Sequence, residues 1–394
     1  MTELIGIVGA GTMGAGIAQV AIEHGHEVVL HDVDPPTLEQ AHSRIRDGLG
    51  RRAAKLELDA DSIDDWVSGR LEQLHHAETL DAVAAEADVV IEAALEDLEL
   101  KQAIFRTLDR ETAERPGVLL ATNTSALSVA AIAGATARPE RVLGLHFFNP
   151  AQAMKLVEVV THAATDPESA AMATRLVAGW DKVPVQCTDS PGFIVNRVNR
   201  PFTLEALRML EAGEATIVTV DEALRASGFP MGPFELMDLI GIDVNLAAAR
   251  GVWDGLGQPD RLRPSSIQER LVDAEQYGRK TGIGFYRYRD GRQDASSGAF
   301  AQDVVSAIGA DEIVGRIVLA VVNEAYIAAG EGVAASPDID LALRLGAGHP
   351  YGPFEWTASR GVRIVLSDLE QLAERVGDRF QPATALRAAA EGCC

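Results

Sequence analysis

The chain has 394 residues, 47% of them hydrophobic and 24% charged, and a formal net charge of −23. At ~150 residues per domain this predicts two or three domains, with enough apolar material for real cores, so a wholly disordered chain is excluded. The acidity excludes the overall basic footprint of a nucleic-acid binder, and no apolar run is expected to approach the ~20 residues of a membrane span.

The opening Met1-Thr-Glu-Leu-Ile-Gly6 lacks the basic start and cleavage site of a secretory leader. Leu4 to Val8 reads as a buried strand that runs into a Gly-rich turn. Ala15 to His24 reads as a helix stopped by Gly25, and Glu27 to Leu30 as the next strand. Pro36 to Lys55 and Ser62 to Leu74 carry mixed charge at helical spacing. Strands follow at Asp88 to Glu92, Val118 to Ala121, Val142 to Phe148 and Leu156 to Val160, with a helix over Asp97 to Glu114. The last two strands are close enough in sequence to pair. Strands alternating with helices predict a doubly wound parallel sheet of the Rossmann type over residues 1–188.

Beyond Asp189-Ser190-Pro191-Gly192 the pattern becomes helical, beginning with one long helix from Phe193 to Ala212. Asp290 to Ala299 is polar and reads as a linker. Gly228-Phe-Pro-Met-Gly-Pro-Phe-Glu235 returns 120 residues later as Gly348-His-Pro-Tyr-Gly-Pro-Phe-Glu355, and Glu205-Ala206 returns 119 residues later as Glu324-Ala325. This predicts a duplicated all-α unit, 189–290 and 300–394. The two copies are expected to fold back on each other as an intrachain pseudo-dimer, with a homodimer built by exchanging the second copy as the competing arrangement. Three cysteines, Cys187, Cys393 and Cys394, form neither a CxxC, a zinc spacing nor a CaaX box. The expectation is a reduced, cytoplasmic protein with no metal site and no membrane or nucleic-acid partner.

Gly9-Ala-Gly11-Thr-Met-Gly14 fits GxGxxG in the context that motif requires, after a strand and opening a helix. The glycines permit a tight turn, backbone approach to a pyrophosphate and close helix packing. The helix N-terminus offers free N–H groups to the phosphates. Asp32 ends the second strand, where a carboxylate binds ribose hydroxyls and repels a 2′-phosphate, so NAD is favoured over NADP. The fingerprint alone also admits FAD.

Four polar positions stand where a plain core would not want them. Ser125 follows a strand at its carboxyl end, where ligands of doubly wound sheets lie, although a helix cap is the ordinary reading of such a residue. His146 and Glu158 sit in apolar strands. If those strands pair, the carboxylate can fix the imidazole tautomer and favour the imidazolium, which makes a general base. Asn196 lies just past the domain boundary, where an amide is either a helix-surface group or part of a ligand cleft.

With these residues in place, the chain resembles the L-3-hydroxyacyl-CoA dehydrogenase family. The likeness runs from Ile5 to Tyr288 through GAGTMGAGIAQ, ATNTSALSV, GLHFFNP, MKLVEVV, SPGFIVNR, PMGPFELMDLIG and GRKTGIGFYRY. The resemblance implies an NAD-binding domain followed by a helical domain, and reversible oxidation of an L-3-hydroxyacyl-CoA to the 3-oxoacyl-CoA. It implies His146 as base, Glu158 as its partner, and Ser125 and Asn196 on the reacting oxygen. Cofactor contacts are implied at Gly9, Gly11, Thr12, Met13, Gly14, Asp32, Glu96, Lys101, Asn149 and Lys280. A CoA contact is implied at Lys55, but a neighbouring CoA-contacting Ser of the family is replaced here by Gly48, while Arg51 and Arg52 add positive charge. The second helical copy has Gly315 where the first has Asn196, so it is expected to be structural. Two other readings compete: a dehydrogenase of a free hydroxy acid or sugar acid such as gulonate, and a non-catalytic NAD-binding protein like the lens crystallins that resemble this family.

Overall fold

The computed structural model describes residues 3–290, 292–294 and 306–392, and it divides into two compact units, Met1–Asp189 and Ser190–Cys394. The first unit runs β1 (Ile5–Val8), α1 (Thr12–Glu23), β2 (Val28–His31), α2 (Pro35–Lys55), α3 (Ala60–Leu71), β3 (Leu74–His76), α4 (Leu80–Glu86), β4 (Val89–Glu92), α5 (Leu98–Glu111), β5 (Leu119–Thr122), α6 (Val129–Ala133), β6 (Val142–Phe147), β7 (Leu156–Thr161), α7 (Pro167–Gly179) and β8 (Val183–Thr188). The eight strands form one sheet in the order β3-β2-β1-β4-β5-β6-β7-β8. Pairing is parallel from β3 to β6, antiparallel between β6 and β7, and parallel again between β7 and β8.

The apolar runs of β1, β2, β4, β5 and β6 are wholly buried, as strands covered on both faces must be. One face packs Ile17, Ile45, Leu49, Val177 and Trp180 of the α1, α2 and α7 side. The other packs Val83, Phe105, Leu108 and Ile132 of α4, α5 and α6. The helix expected to run through Leu74 stops at Leu71, and Leu74 enters the edge strand β3 instead. That strand, α4 and β8 are short, and long-range pairing fixes the two strands.

The second unit contains α8 (Val195–Val198), α9 (Arg200–Glu211), α10 (Ile217–Ala226), α11 (Pro233–Ile240), α12 (Ile242–Gly255), α13 (Ser266–Asp273), the hairpin strands β9 (Arg287–Arg289) and β10 (Arg292–Asp294), then α14 (Ala310–Gly330), α15 (Ser336–Gly346), α16 (Pro353–Arg360), α17 (Val362–Val376) and α18 (Thr384–Glu391). Three expectations are corrected here. The helix expected from Phe193 to Ala212 breaks at Asn199, because Pro201 has no N–H to donate to the carbonyl of Arg197. The stretch read as a linker from Asp290 begins as a hairpin, in which Arg292, Gln293 and Asp294 pair with Arg289, Tyr288 and Arg287. Residue 291, the rest of that stretch and the first residues of the second copy (295–305), and Cys393-Cys394, lie outside the described residues. Finally, α14 does have the length and apolarity of a membrane span, with mean hydropathy 1.5, but 67% of its apolar window is buried within the fold. It packs against α9, α10, α16 and α18, and its buried Arg316 and Glu324 are ion-paired.

The duplicated halves of this unit meet through a pair of equivalent charge clusters. Glu205 of the first copy accepts from Arg316 at 2.6 Å and Arg379 at 2.9 Å of the second. Glu324, its counterpart, accepts from Arg197 at 3.0 Å and Arg261 at 2.7 Å of the first. Each Glu thus receives one Arg from the α8 or α14 side and one from the segment before α13 or α18. This reciprocity is the contact pattern of a two-fold dimer, written within one chain. Between the clusters His349 bonds Asn199 Oδ1 at 2.8 Å and packs against Phe202 and Phe229.

Candidate active site

The first unit gathers its chemistry at the carboxyl ends of β1, β2, β4 and β5 and on the adjoining β6 and β7. The Gly-rich turn leaves β1 with Gly9 at φ +99°, a conformation that disfavours any side chain. A Cβ at Gly14 would lie 1.8 Å from the Gly9 carbonyl oxygen, so α1 can pack on the turn only with glycine there. A Cβ at Gly11 would meet nothing within 4 Å, which leaves the loop backbone open to a ligand as a pyrophosphate cradle requires. Thr12 opens α1 and Met13 packs on the core beneath it. Asp32 follows β2, and its two carboxylate oxygens accept from Ala10 N at 2.8 Å and Asp34 N at 3.0 Å. Asp32 therefore braces the Gly-rich loop through Ala10. These residues fit NAD.

His146 on β6 and Glu158 on β7 are cross-strand partners in register. Nδ1 of His146 and Oε2 of Glu158 are 2.6 Å apart, with the two residues 5% and 0% exposed. The antiparallel turn of the chain after β6 brings them together, a reversal that only the β6–β7 pairing creates. Ser125 lies in the turn after β5, not at a helix cap; the cap of α6 is Ser128, which also bonds Asp189 at 2.8 Å. Asn123 in the same turn accepts from Phe147 N at 2.8 Å, tying the Ser125 turn to the strand residue beside His146. Glu96 closes the turn from below: one of its oxygens accepts from Thr124 Oγ1 at 2.6 Å, Ser125 N at 2.9 Å and Ala126 N at 3.1 Å. Burial pushes the Glu96 carboxyl up, but those hydrogen bonds and the nearby Lys101 charge outweigh it and hold it below the ordinary range.

Lys101, for which the resemblance implies a cofactor contact, is 1% exposed and paired with Glu92 at 2.6 Å and Glu96 at 3.4 Å. Its partner Glu92, which the sequence reading did not single out, closes the apolar run Val89-Val-Ile. Asn149 is exposed beyond the end of β6.

Lys55, the last residue of α2, lines a cleft of about 190 Å³ together with Gln19, Gly48, Arg51, Arg52 and Lys155. A Cβ at Gly48 would fall 2.0 Å from Gln19 Oε1, so the Gln19 carboxamide occupies the place a serine side chain would take. Lys182, at the rim, donates to the carbonyls of Ala151 and Met154, and burial pushes it down to about 8. Asn196 and Lys280 lie in the second unit, on α8 and on a short turn where Lys280 bonds Asp243 at 2.6 Å. Among the described residues no cluster of His, Cys, Asp and Glu could hold a metal, and Cys187 is buried on β8.

The family model for the 3-hydroxyacyl-CoA dehydrogenase NAD binding domain matches residues 4–190, and that for the 3-hydroxyacyl-CoA dehydrogenase C-terminal domain matches 192–288 and again 313–392. The chain belongs to the 3-hydroxyacyl-CoA dehydrogenase family. It is 36% identical to the 3-hydroxyadipyl-CoA dehydrogenase of Escherichia coli over 98% of this chain and 97% of that protein. It is 38% identical to the mitochondrial hydroxyacyl-coenzyme A dehydrogenase of Sus scrofa over 73% of this chain and 92% of that one. The crystal structure of 3-hydroxybutyryl-CoA dehydrogenase from Escherichia coli superposes with a TM-score of 0.89 at 36% identity, covering 99% of this chain and 98% of the other. The protein is therefore an NAD-dependent 3-hydroxyacyl-CoA dehydrogenase, on the fold expected from the sequence.

Proposed function

We propose that His146 and Glu158 form the acid–base pair that interconverts an L-3-hydroxyacyl-CoA and its 3-oxoacyl-CoA. The observation that carries this is the 2.6 Å contact between two buried groups on paired strands. Glu158 accepts a hydrogen bond from Nδ1–H, which leaves Nε2 as the acceptor for the C3 hydroxyl proton and favours the imidazolium as it forms. Ser125, held by Glu96, orients the reacting oxygen. The cofactor, when bound on the Gly9 to Gly14 loop and Asp32, supplies the hydride acceptor. Lys55 with Arg51 and Arg52 offers a patch of positive charge for a CoA phosphate, with Gln19 filling the place that Gly48 vacates.

Two relatives that match over nearly the whole chain are named for 3-hydroxyadipyl-CoA and 3-hydroxybutyryl-CoA, so the substrate panel must include both a dicarboxylic and a short acyl group. Initial rates with NADH across short, medium and dicarboxylic 3-oxoacyl-CoA thioesters, with gulonate and NAD as the comparison, test the reading. Turnover of gulonate alone, or tight NADH binding without turnover of any thioester, overturns it. His146→Gln is expected to lower kcat by roughly 10²–10⁴-fold while leaving NADH affinity nearly unchanged.

A further inference from the structure

Among the described residues, three arginines of the second unit are buried: Arg197, Arg200 and Arg316. Two of them have their counter-charge, Arg197 in Glu324 and Arg316 in Glu205. Arg200, 6% exposed, has none among the described residues. Its side chain makes one long contact, from Nη1 to the Asn245 carbonyl oxygen at 3.5 Å, and its Nε is buried without a partner. The side chain of Asn245 is itself neutral and occupied, accepting from Gln268 at 2.8 Å. Burial pushes the guanidinium down to about 10, so it stays charged at neutral pH. A buried charge is ordinarily paired or lost, and a core that needed only stability would hold an apolar residue here.

The place of Arg200 in the chain points to the missing anion. Asn196 lies four residues before it. Asn199, between α8 and α9, keeps right-handed helical angles at φ −80° and ψ −5°. The segment therefore makes about one turn from Asn196 to Arg200, which sets the two positions on one face with their Cβ atoms about 5–6 Å apart. With the C3 oxygen of the substrate at Asn196, a few carbons of acyl chain beyond C3 cover that spacing. We propose that Arg200 is a specificity-determining residue that receives the distal carboxylate of a dicarboxylic acyl-CoA. The guanidinium edge of Nε and Nη2, which the Asn245 contact leaves unused, is the fork that takes a carboxylate by two parallel hydrogen bonds. The inference rests on the placing of Asn196 at the reacting oxygen. An acyl group that ends in a methyl leaves the cation unpaired, so the site selects for the charged end as well as binding it.

The test compares 3-oxoadipyl-CoA with 3-oxohexanoyl-CoA, two thioesters of equal chain length that differ in the terminal carboxylate. With NADH, the wild type is expected to favour 3-oxoadipyl-CoA in kcat/KM by roughly 30-fold or more, the scale on which a buried charge pair is lost when one partner is removed. In Arg200→Met the ratio of the two kcat/KM values should fall to near one, chiefly through a higher KM for 3-oxoadipyl-CoA. Arg200→Lys keeps the charge without the fork and should retain part of the ratio. Because Arg200→Met removes an uncompensated cation, its Tm is expected to hold or rise. A purely structural arginine behaves otherwise: its loss lowers Tm and depresses both thioesters in proportion, and a preserved ratio in Arg200→Met overturns the proposal. The wild-type ratio decides the matter even if no variant folds, since equal kcat/KM for the two thioesters overturns this proposal alone. Turnover of neither thioester overturns it together with the dehydrogenase reading on which it rests.

Discussion

The two helical copies share a scaffold but not a site. Both contain a helix, α11 and α16, that begins with a Gly-Pro-Phe-Glu turn capped by a buried aspartate. Asp221 accepts from Phe234 N and Glu235 N, and Asp340 from Phe354 N and Glu355 N. The first copy continues into the segment from Gly278 to Tyr288 that carries Lys280. There Asp238 accepts from Phe285 N at 2.9 Å, Tyr286 N at 2.8 Å and the Tyr288 hydroxyl at 2.9 Å, and Asp221 accepts from the Tyr286 hydroxyl. In the second copy Ala358 stands in place of Asp238, counted from the shared Gly-Pro-Phe-Glu turn. Asn196 is likewise matched by Gly315. The second copy retains what holds the pair of copies together and lacks the polar groups that hold the Lys280 segment.

The harshest way to break that comparison is to remove the second copy. Deleting residues 300–394 strips Glu205 of Arg316 and Arg379, and Arg197 of Glu324 and Glu331. The exposed face is expected to drive dimerisation or aggregation, and a stable, fully active monomer in sedimentation would refute the interface role. Next in size is Glu324→Leu, which leaves Arg197 and Arg261 without their shared carboxylate. Breaking a buried pair on one side costs about 3–5 kcal/mol, or roughly 10 °C in Tm for a unit of this size. The counterpart Glu205→Leu should cost a similar amount if the clusters are equivalent, and calorimetry on the two variants compares them directly. Asn196→Ala is expected to lower kcat by about 10-fold or more, on the scale of misplaced reacting groups. Gly315→Asn should leave kcat unchanged, and a gain or loss there would mean the second copy takes part in the chemistry.

The smallest effect is a pair of opposed pH dependences. Burial pushes Asp221 up to about 7 against hydrogen bonds from Phe234, Tyr286 and Glu235 that pull it down. The folded state then holds this proton more tightly than the unfolded one, so the contribution is full below about pH 4 and is lost as pH rises to 7, with a slope of at most ~1.4 kcal/mol per pH unit. Burial pushes His349 down to about 4, so its contribution is full above about pH 6.5 and is lost as pH falls toward 4. The two slopes oppose each other in the same window. Denaturant titrations at several pH values should show Asp221→Asn more acid-sensitive than wild type and His349→Gln less so. Parallel pH profiles for all three proteins would remove both groups from the stability of this unit.

Local pattern carried much of this molecule. The Gly9 to Gly14 fingerprint needs only a strand, a turn and a helix in succession, all nearest-neighbour features, and it stood in the sequence with its Asp32. The duplication was legible for the same reason, because a repeated turn keeps its residues in order. Charge partners and strand pairings did not share that visibility. Whether His146 meets Glu158 depends on β6 and β7 running antiparallel in one register, since a slip of one residue would turn each side chain to the opposite face. The sequence shows Lys101 as a charge but not its depth, and only tertiary packing buries it. Its pairing with Glu92, and that of Glu92 with Thr122, join residues 9 and 30 positions apart. The break at Asn199 was written in Pro201, but the pairing of Glu205 with Arg316, 111 residues on, was decided by the two copies closing on each other. Period and turn chemistry act over a few residues, whereas desolvation and ion pairing act across whatever surfaces the fold brings together, and that is where this enzyme keeps most of its site.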